Sequence, residues 1–382
     1  MQSYFRNQNP FMNKKKKLLV FHIALAPYRV DFFNALTLEF DTSFYFSLTN
    51  VPDQTFDQEA IARNSKFKNN YLSKGFTLFG RSFITGIYSI IRKEHPDIIL
   101  CNEYSPVTFI AFLYKIFINK AVKLYTISDD SIDNSKSRKG FRAFIRNLIS
   151  KNIDGVIFPG KDVCDWYQQN ISLKPKTLEL PIIHNDEVFR NELKASLTTA
   201  NQNIRDYNLK NKKVILFVGR LVEVKNLPFL LDVVVQLKKT DWVLVIVGDG
   251  ILMDDLKAQA VGLGLSDKLL FVGRKEGSAL NSWYTFAQML VLQSTSEKFG
   301  AVVNEALLGG CKVLCSELAG ASSLINSKNG KIFSPYNQNE FLNAIESTLN
   351  EVEFTPSEIH SIRENKMPFS FNEKINTLMN SL

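Results

Sequence analysis

The sequence predicts an α/β protein with two parallel, doubly wound sheets that face each other across a central cleft. The chain has 382 residues, which is more than one ordinary domain needs and enough for two domains with their own cores. Short apolar runs alternate with helical patterns through both halves, which is the βαβ order of parallel sheets. A domain crossover is expected at about 180–210. Ligands of such sheets bind beyond the carboxyl ends of the strands, so the cleft is the expected site.

The composition argues against several other classes of protein. Hydrophobic residues make up 45% and charged residues 22%, with no internal repeat and no apolar run of the ~18 residues that a membrane span needs. The few histidines and the lack of a C-x-x-C spacing give no indication of a zinc site. We therefore expect a cytoplasmic protein with reduced core cysteines. These are Cys101, Cys164, Cys311 and Cys315.

The first basic and apolar segment, KKKKLLVFHIALAP (14–27), has two interpretations. Its order of basic, apolar and small residues resembles a signal peptide. The alternative is a first buried strand, which we favour because the apolar run is short, contains His22 and continues into patterned sequence. His22 is then expected to be a buried strand residue and not a catalyst.

Strand-length apolar runs and helical patterns follow one another in the first half, which we expect to form a domain over 1–185. The predicted strands are 17–25, 42–48, 97–101, 122–127 and 154–158. The predicted helices are 30–40, 82–94, 105–117 and 139–151. PIIHNDEVF (181–189) begins an irregular stretch, and SLTTANQN (196–203) is polar without a core pattern.

The same alternation predicts a second domain over 205–366. Its predicted strands are 213–218, 242–247, 268–272, 288–292 and 312–315. Its predicted helices are 227–239, 251–263 and 301–309. The tail over 367–382 follows a proline and is expected to form a last helix that packs back on the first domain.

A first candidate site follows the strand in KVILFVGRLVEVKN (213–226). Gly219 ends the strand and lets a ligand approach the backbone, and Arg220 and Lys225 follow on the same loop. The guanidinium fork and the ammonium group both suit phosphate oxygens, and at this spacing they can reach one diphosphate. Taken alone, the motif is equally consistent with a solvated basic loop.

Two further strands end in turns that contain glycine. WVLVIVGDG (242–250) leads through Gly248 and Gly250 into a helix, as in many nucleotide-binding sheets, although a plain strand-to-helix turn is the alternative. In LLFVGRKE (269–276) the backbone from Val272 to Arg274 is a candidate partner for the edge of a base.

EKFGAVVNE (297–305) places two glutamates around the start of a helix. Gly300 permits a sharp entry, and the first N–H groups of the helix attract an anion such as phosphate without a metal. Glu305 leans toward the helix N-terminus, where it can accept hydrogen bonds from two ribose hydroxyls. Glu297 lies in the loop and can meet the transferred group. The alternative is that either glutamate is an ordinary carboxylate at a helix terminus or in solvent.

The surplus of positive charge lies in the first half. Residues 1–185 carry 25 Lys and Arg against 16 Asp and Glu, and the remainder carries 21 against 22. SKSRKGFRAFIRNLISKN (135–152) is a basic helical pattern that can lie on an anionic membrane surface, with the lysine run at 14–17 beside it. The alternative is that its apolar side packs on the sheet. Its basic residues are Lys136, Arg138, Lys139, Arg142, Arg146 and Lys151, and its apolar residues are Phe141, Phe144, Ile145 and Leu148.

The second half, over about 210–335, resembles the donor domain of the retaining GT-B glycosyltransferases with the E-x7-E signature (glycosyltransferase family 4, glycosyl transferases group 1). The matching segments are FVGRLVEVKN, VGDG and SEKFGAVVNEALLGGCKVLCSELAGASSLI. The resemblance implies a GT-B fold of two Rossmann-like domains, a nucleotide-sugar substrate, and no metal or cofactor. It implies that Arg220 and Lys225 hold the donor diphosphate, Glu305 the ribose and Glu297 the sugar. The backbone of Lys298, Phe299, Gly300 and Ala301 would contact sugar hydroxyls.

The first half departs from the family pattern. Members often have a glycine pair after the first strand, where this chain has Pro27, Tyr28 and Arg29, and we expect Arg29 to face the diphosphate. Where many members have a histidine, LYTISDDS (124–131) offers Asp129 as an acceptor contact or base, unless it caps a helix. Glu103, at the end of another strand, is a weaker candidate.

Together these residues predict a retaining, hexosyltransferase-type enzyme with Glu297, Arg220, Lys225 and Asp129 as catalytic candidates. It would move a sugar from a nucleotide sugar, with UDP favoured, to a glycan or lipid-linked acceptor at the inner membrane face. A non-catalytic GT-B scaffold is the alternative. A dinucleotide-dependent oxidoreductase is disfavoured because no G-x-G-x-x-G follows a predicted strand. We expect no nucleic-acid partner, although the basic half alone would permit one.

Overall fold

Two large parallel sheets form the frame of the protein in a computed structural model. The structure describes residues 15–50, 56–72, 74–78, 81–130, 132–137, 139–171 and 176–382. Within these residues one sheet has seven strands and the other has six, and neighbouring strands in both sheets are parallel. The predicted α/β class with two doubly wound sheets is confirmed.

The first sheet has the strand order β3-β2-β1-β6-β7-β8-β9. Its strands are β1 (Lys17–His22), β2 (Asp41–Phe46), β3 (Asn69–Tyr71), β6 (Ile98–Asn102), β7 (Lys123–Ile127), β8 (Gly155–Phe158) and β9 (Lys176–Glu179). An antiparallel pair beside it consists of β4 (Lys74–Leu78) and β5 (Arg81–Ile84). The helices of this half are α1 (Pro27–Glu39), α2 (Gln58–Asn64), α3 (Ile87–Glu94), α4 (Pro106–Phe117), α5 (Ile132–Ser137), α6 (Gly140–Ser150) and α7 (Lys161–Ile171).

The second sheet has the strand order β12-β11-β10-β13-β14-β15. Its strands are β10 (Lys213–Val218), β11 (Trp242–Val247), β12 (Leu269–Gly273), β13 (Met289–Leu292), β14 (Lys312–Ser316) and β15 (Gly330–Phe333). The helices of this half are α8 (Asp186–Ala195), α9 (Leu197–Asp206), α10 (Leu227–Val234), α11 (Met253–Gly262), α12 (Gly277–Phe286), α13 (Ala301–Leu308), α14 (Gln338–Glu351) and α15 (Phe371–Met379).

Strands that are apolar on both faces explain why both sheets are covered by helices. Along β10, Val214 and Leu216 lie in one core cluster, and Ile215 and Phe217 lie in another. The cluster that contains Val214 also contains Leu18 of β1. The two sheets are therefore joined by a continuous apolar core as well as by the chain that connects them.

The crossover is helical, so the prediction of an irregular segment without a core pattern is wrong. Helices α8 and α9 bury Phe189, Leu193, Ala200 and Ile204 and pack on α12. Asn185 caps α8, because its side chain accepts hydrogen bonds from two N–H groups of the first turn. The polar residues between these apolar positions hide a helical spacing that was present in the sequence.

Several element boundaries differ from the prediction, and three of them have a clear local cause or consequence. The helix predicted at 82–94 begins at Ile87, because Gly86 has a left-handed backbone (φ 83°) and β5 occupies the preceding residues. The helix predicted at 227–239 ends at Val234. The first strand ends at His22, since the chain turns there into the loop before α1.

The C-terminal tail forms α15, which lies against α1 and β9. Ser370 and Glu373 form a capping box at its start. The Lys374 ammonium group donates to the Glu179 carboxylate at 2.9 Å, and the Tyr125 hydroxyl donates to the Ser381 carbonyl at 3.2 Å. The last helix thus contacts the first half of the chain after the second sheet is complete.

Two other expectations concern cysteines and membrane spans. All four cysteines are free and buried, as predicted. Within the described residues, no helix combines the length and the apolar character that crossing a bilayer requires.

Candidate functional site

Backbone hydrogen bonds tie together the loops at the carboxyl edge of the second sheet. Beyond β10, the Leu221 N–H donates to the Asp249 carbonyl at 2.9 Å, and the Leu252 N–H donates to the Leu221 carbonyl at 3.1 Å. Beyond β11, the Gly248 N–H donates to the Gly273 carbonyl of β12 at 3.0 Å. The loops after three neighbouring strands therefore form one fixed platform.

Close packing between these loops explains the glycines of the GDG turn. A Cβ atom at Gly248 would overlap the carbonyl oxygen of Gly219, and one at Gly250 would overlap the carbonyl oxygen of Leu221. Gly248 also has a φ of 155°, which other residues rarely adopt. In this structure the predicted nucleotide turn owes its glycines to contact between loops.

Replacing Gly248 with alanine is expected to lower the free energy of unfolding by about 1–3 kcal/mol or more, because two backbone segments would have to separate. Urea unfolding measures the change. Gly262→Ala is the matched control, since nothing lies within 4 Å of a Cβ atom at that position. Equal stability of the Gly248 variant and the wild type would contradict the packing argument.

Lys225, in the loop after β10, forms an ion pair with Glu297, in the loop after β13, and both side chains are more than four-fifths buried. Lys225 ends a short 3₁₀ turn, and its carbonyl accepts a hydrogen bond from the Gln293 amide at 2.7 Å. The Thr295 N–H donates to the Val224 carbonyl at 2.9 Å. The structure thus brings together the predicted diphosphate lysine and the predicted sugar carboxylate, which are 72 residues apart in sequence.

Arg220 lies on the same platform, directly after Gly219, and is exposed. Among the described residues its guanidinium group has no hydrogen-bond or ion-pair partner in the protein. It therefore differs from Lys225, whose charge is already paired. An exposed guanidinium group beside a glycine is well suited to bind an anionic ligand that approaches the loop.

The loop before α13 has a constrained backbone. Gly300 has a φ of 97°, and a Cβ atom there would lie 2.7 Å from Leu292 Cδ2. The Ala321 N–H donates to the Phe299 carbonyl at 2.7 Å, and the Gly320 N–H donates to the Glu297 carbonyl at 3.3 Å. No side chain caps α13 among the described residues, so the N–H groups that begin at Ala301 keep their capacity for an anion.

The side chains around this loop differ in exposure. Phe299 is buried in the core, so only its backbone is placed to face a ligand, whereas Lys298 is exposed. At the end of β12, Val272 is buried and Arg274 pairs with Glu276 through an Nε–Oε1 hydrogen bond of 2.9 Å. The predicted role of this segment as a partner for a base stays a prediction.

Glu305 lies in α13 and is held through both carboxylate oxygens. The Tyr284 hydroxyl donates to Oε2 at 2.6 Å, and His184 Nε2 lies 3.5 Å from Oε1. His184 Nδ1 lies 3.4 Å from an oxygen of Asp31, which belongs to α1. Burial alone would lower the pKa of His184, but the two carboxylates outweigh it and raise the pKa to about 10. His184 is therefore a cation at neutral pH.

His184 was missed in the sequence because it lies in the crossover segment that we predicted to be irregular. Its partners come from α1 and α13, 153 and 121 residues away in sequence. A histidine next to the N-cap residue Asn185 was the only local signal, and it does not identify those partners.

In the first domain, Arg29 and Asp129 form an ion pair and both side chains are more than four-fifths buried. Burial would raise the pKa of Asp129, but the guanidinium group beside it holds the pKa below its ordinary value. Asp129 is thus a weak base. The predicted roles of Arg29 toward a diphosphate and of Asp129 toward an acceptor would both require this pair to open.

Two neighbouring residues complete this edge of the first sheet. Glu103 accepts hydrogen bonds from the Ser128 hydroxyl at 3.1 Å and the Asp129 N–H at 3.2 Å, so it supports the turn after β7. His22 is buried, as predicted, and its Nδ1 lies 2.8 Å from the Ala24 carbonyl. Burial is the main cause that lowers the pKa of His22 to about 4, so its imidazole is neutral.

A cavity of about 750 Å³ lies between the two domains beside Glu305. Its walls come from α1, α2, α8 and the start of α12, and His184 and Asp31 lie on its surface. The lining is mainly apolar with a few carboxylates, a mixture typical of small-molecule sites. Arg220, Lys225 and Glu297 do not line it, and the cavity reaches this edge of the second sheet at Glu305 and at Glu276, after β12.

The basic helix is divided between an inner and an outer face. Ile145 and Leu148 pack on the core, and Arg146 is buried, with its guanidinium group donating to the Ser135 carbonyl at 2.9 Å. The prediction that Arg146 is a surface charge is wrong. Phe141 and Phe144 are 77% and 60% exposed. Other predicted members of the surface, Lys14 and Arg138, lie outside the described residues.

The lysine run does not extend this surface. Lys17 begins β1 and therefore lies at the amino edge of the first sheet. Phe141 is in the first turn of α6, which follows α5 and leads to the start of β8, so this turn is the end of α6 farther from the amino edge. The expectation that the two features are adjacent is wrong.

Metal-binding side chains are not grouped in the part of the chain that the structure describes. No three histidine, cysteine, aspartate or glutamate side chains lie close enough there to hold an ion together. That the proposed reaction needs no metal ion stays a proposal.

The arrangement of two facing parallel sheets is the GT-B fold. HepE of Anabaena, in a crystal structure with UDP, superimposes with a TM-score of 0.75 over 96% of this chain and 100% of that chain, at 16% identity. Residues 200–365 match the family model described as glycosyl transferases group 1. The matched segment lies in the second domain and covers less than half of the chain.

The chain is also similar over part of its length to curated transferases. One is the N-acetylgalactosamine-N,N'-diacetylbacillosaminyl-diphospho-undecaprenol 4-alpha-N-acetylgalactosaminyltransferase of Campylobacter jejuni, 29% identical over 54% of each chain. Another is the alpha-monoglucosyldiacylglycerol synthase of Streptococcus pneumoniae, 29% identical over 46% of this chain and 40% of the relative. The match spans only about half or less of the length of these relatives.

Proposed function

We propose that the protein is a glycosyltransferase that moves a sugar from a nucleoside-diphosphate sugar to an acceptor hydroxyl with retention of anomeric configuration. The observation that carries the proposal is the convergence of Arg220, Lys225, the uncapped start of α13 and Glu297 at one sheet edge. Positive charge there is fixed in advance, so it can stabilise a leaving diphosphate without reorganisation. UDP is the favoured nucleotide, and no metal is required for this arrangement of charges.

In the proposed reaction the acceptor oxygen forms a bond to the anomeric carbon while the bond from that carbon to the diphosphate oxygen breaks. The acceptor proton passes to an oxygen of the leaving diphosphate, so no protein base is needed. Glu297 orients the sugar, and Glu305 accepts hydrogen bonds from the ribose. Asp129 is left out of the proton transfer because its low pKa makes it a weak base.

Nucleotide binding tests the donor site. UDP is expected to raise the thermal midpoint of the wild type more than GDP, ADP, CMP or NAD, because a ligand that binds only the folded protein stabilises it. Arg220→Ala is expected to lose most of this rise. Arg205→Ala, an exposed arginine on α9, is the matched control and should keep it. A rise with NAD alone, or an equal rise in the Arg220 variant, would contradict the proposed donor site.

A lipid-linked acceptor is the second part of the proposal. Two relatives carry diphospho-undecaprenol or diacylglycerol in their names, and the outer face of α6 presents Phe141 and Phe144 with Lys139 and Arg142. Aromatic side chains flanked by basic ones can enter an anionic leaflet, with roughly 1 kcal/mol gained per basic residue near the surface.

Co-sedimentation with vesicles tests this surface. Vesicles that contain phosphatidylglycerol are expected to bind the wild type, and the Phe141→Ser/Phe144→Ser variant is expected to lose most of that binding. Phe117→Ser is the matched control, because Phe117 is equally exposed but ends α4 at the amino edge of the sheet. Equal binding of the double variant and the control would argue against a role for α6.

A further inference from the structure

His184 connects the two domains through its side chain and its backbone. Its imidazole lies between Asp31 of α1 and Glu305 of α13, at 3.4 and 3.5 Å, and its ring stacks on Phe189 at 4.7 Å. Its N–H donates to the Asn304 side chain at 2.9 Å. The N–H of the next residue donates to Asp31 at 2.8 Å. One residue of the crossover is therefore bonded to a helix of each domain.

The charges around His184 are unbalanced without its proton. Three carboxylates face it from three different helices, namely Asp31 of α1, Glu192 of α8 and Glu305 of α13. An imidazolium at the centre attracts all three, whereas a neutral imidazole would leave like charges close together. The cation thus holds α1 and α13 at a fixed separation.

Glu305 depends on this cation for its orientation. Tyr284 fixes one carboxylate oxygen, and His184 is the partner of the other, so the carboxylate plane is set by one neighbour from its own domain and one from the crossover. A movement of α1 that pulls on His184 through Asp31 would turn the carboxylate. Ligand contacts of Glu305 and the position of the first domain are therefore mechanically linked.

We propose that His184 is a positioning residue that couples nucleotide binding at Glu305 to the placement of the first domain through Asp31. The inference rests on the proposed function, since it takes the ribose of a nucleotide as the ligand of Glu305. Coupling of this kind is reciprocal, so nucleotide binding also favours the domain arrangement in which His184 contacts Asp31. Binding of the nucleotide sugar would then itself favour closure of the two domains around it.

Calorimetric titration with UDP tests the coupling in the full chain. His184→Gln and Asp31→Asn are each expected to weaken UDP binding by about tenfold at pH 7, within the usual range of coupling between sites. Asp31 does not touch the nucleotide in this proposal, so its effect must pass through the crossover, where it contacts the His184 imidazole and the Asn185 N–H. His360→Gln, an exposed histidine, is the matched control and should bind as the wild type does.

The pH profile distinguishes positioning by the cation from a merely structural role. Wild-type affinity for UDP is expected to stay constant from pH 7 to about 8.5, because His184 remains protonated. In Asp31→Asn the loss of one carboxylate lets the proton leave at lower pH, so affinity should fall further across the same range. A loss that does not change with pH, or no loss in either variant, would overturn the inference.

A ligand-free measurement separates this inference from the proposed function. Histidine NMR titration of the wild type should show one imidazole, absent from His184→Gln, that stays charged well above the usual range. A wild type that shows this imidazole but binds no nucleoside diphosphate would overturn the proposed function, and the coupling would fall with it. Normal UDP binding by the wild type and by both variants would overturn the coupling alone.

Discussion

Replacing Lys225 with alanine is expected to slow sugar transfer by about 10²–10³-fold, as removal of a preorganised charge-stabilising donor does in other enzymes. The variant loses the cation for the leaving diphosphate. It also leaves Glu297 without its partner, so an unpaired carboxylate would face the phosphates. Release of UDP from a panel of UDP-sugars measures the loss.

Two further variants separate these effects. Lys225→Ala/Glu297→Gln removes the repulsive charge and should restore part of the UDP affinity but little of the turnover. Lys257→Ala, an exposed lysine of α11, is the matched control and should turn over normally. Turnover by Lys225→Ala within threefold of the wild type would show that this lysine does not stabilise the leaving group.

Asp129→Ala is expected to lower the free energy of unfolding by about 3–5 kcal/mol, because it leaves the buried Arg29 guanidinium group without its ion-pair partner. Urea unfolding followed by circular dichroism measures the change. Asp165→Ala is the control, since Asp165 forms an exposed ion pair with Lys161 four residues earlier in the same helix. Such surface pairs contribute only about 0–1 kcal/mol, so the control should be nearly neutral. Similar small losses in both variants would contradict a structural role for the buried pair.

The ion pair of Arg29 and Asp129 is also expected to make the stability of the protein depend on pH in acid. Because the folded pKa of Asp129 is depressed, its contribution is present above the unfolded value and is lost as pH falls through the folded one. The wild type should therefore lose more stability in acid than Asp129→Ala does. The difference between the two proteins should be largest near neutral pH and should shrink as the pH approaches the folded pKa.

The sequence predicted most strands of both sheets and the loops after β10, β11 and β13 that form the proposed donor site, because local patterns are sufficient for both. The buried strand at 213–218 and the turn that follows it at Gly219 can be recognised from consecutive residues. The reason for a glycine at position 248 could not be recognised in this way, because only the fold shows that Gly248 packs against the backbone of another loop. The ion-pair partners of Arg29, Asp129 and His184 could not be predicted, because they lie more than 95 positions away in sequence.

The crossover is a segment in which a polar composition led us to miss a helix. Asn185 followed by two acidic residues is a good helix start, and Phe189 and Leu193 continue the pattern at a spacing of four. Polar residues between them concealed the helix. The consequence was large, because the residue next to that helix start is the one that joins the two domains.

The most direct test of the central claim is a crystal structure with UDP. Both phosphates are expected at the edge of the second sheet, within about 2.7–3.2 Å of Arg220, Lys225 or the first N–H groups of α13, and the ribose hydroxyls are expected on Glu305. A nucleotide bound elsewhere, or bound with its phosphates away from these groups, would contradict the proposed donor site.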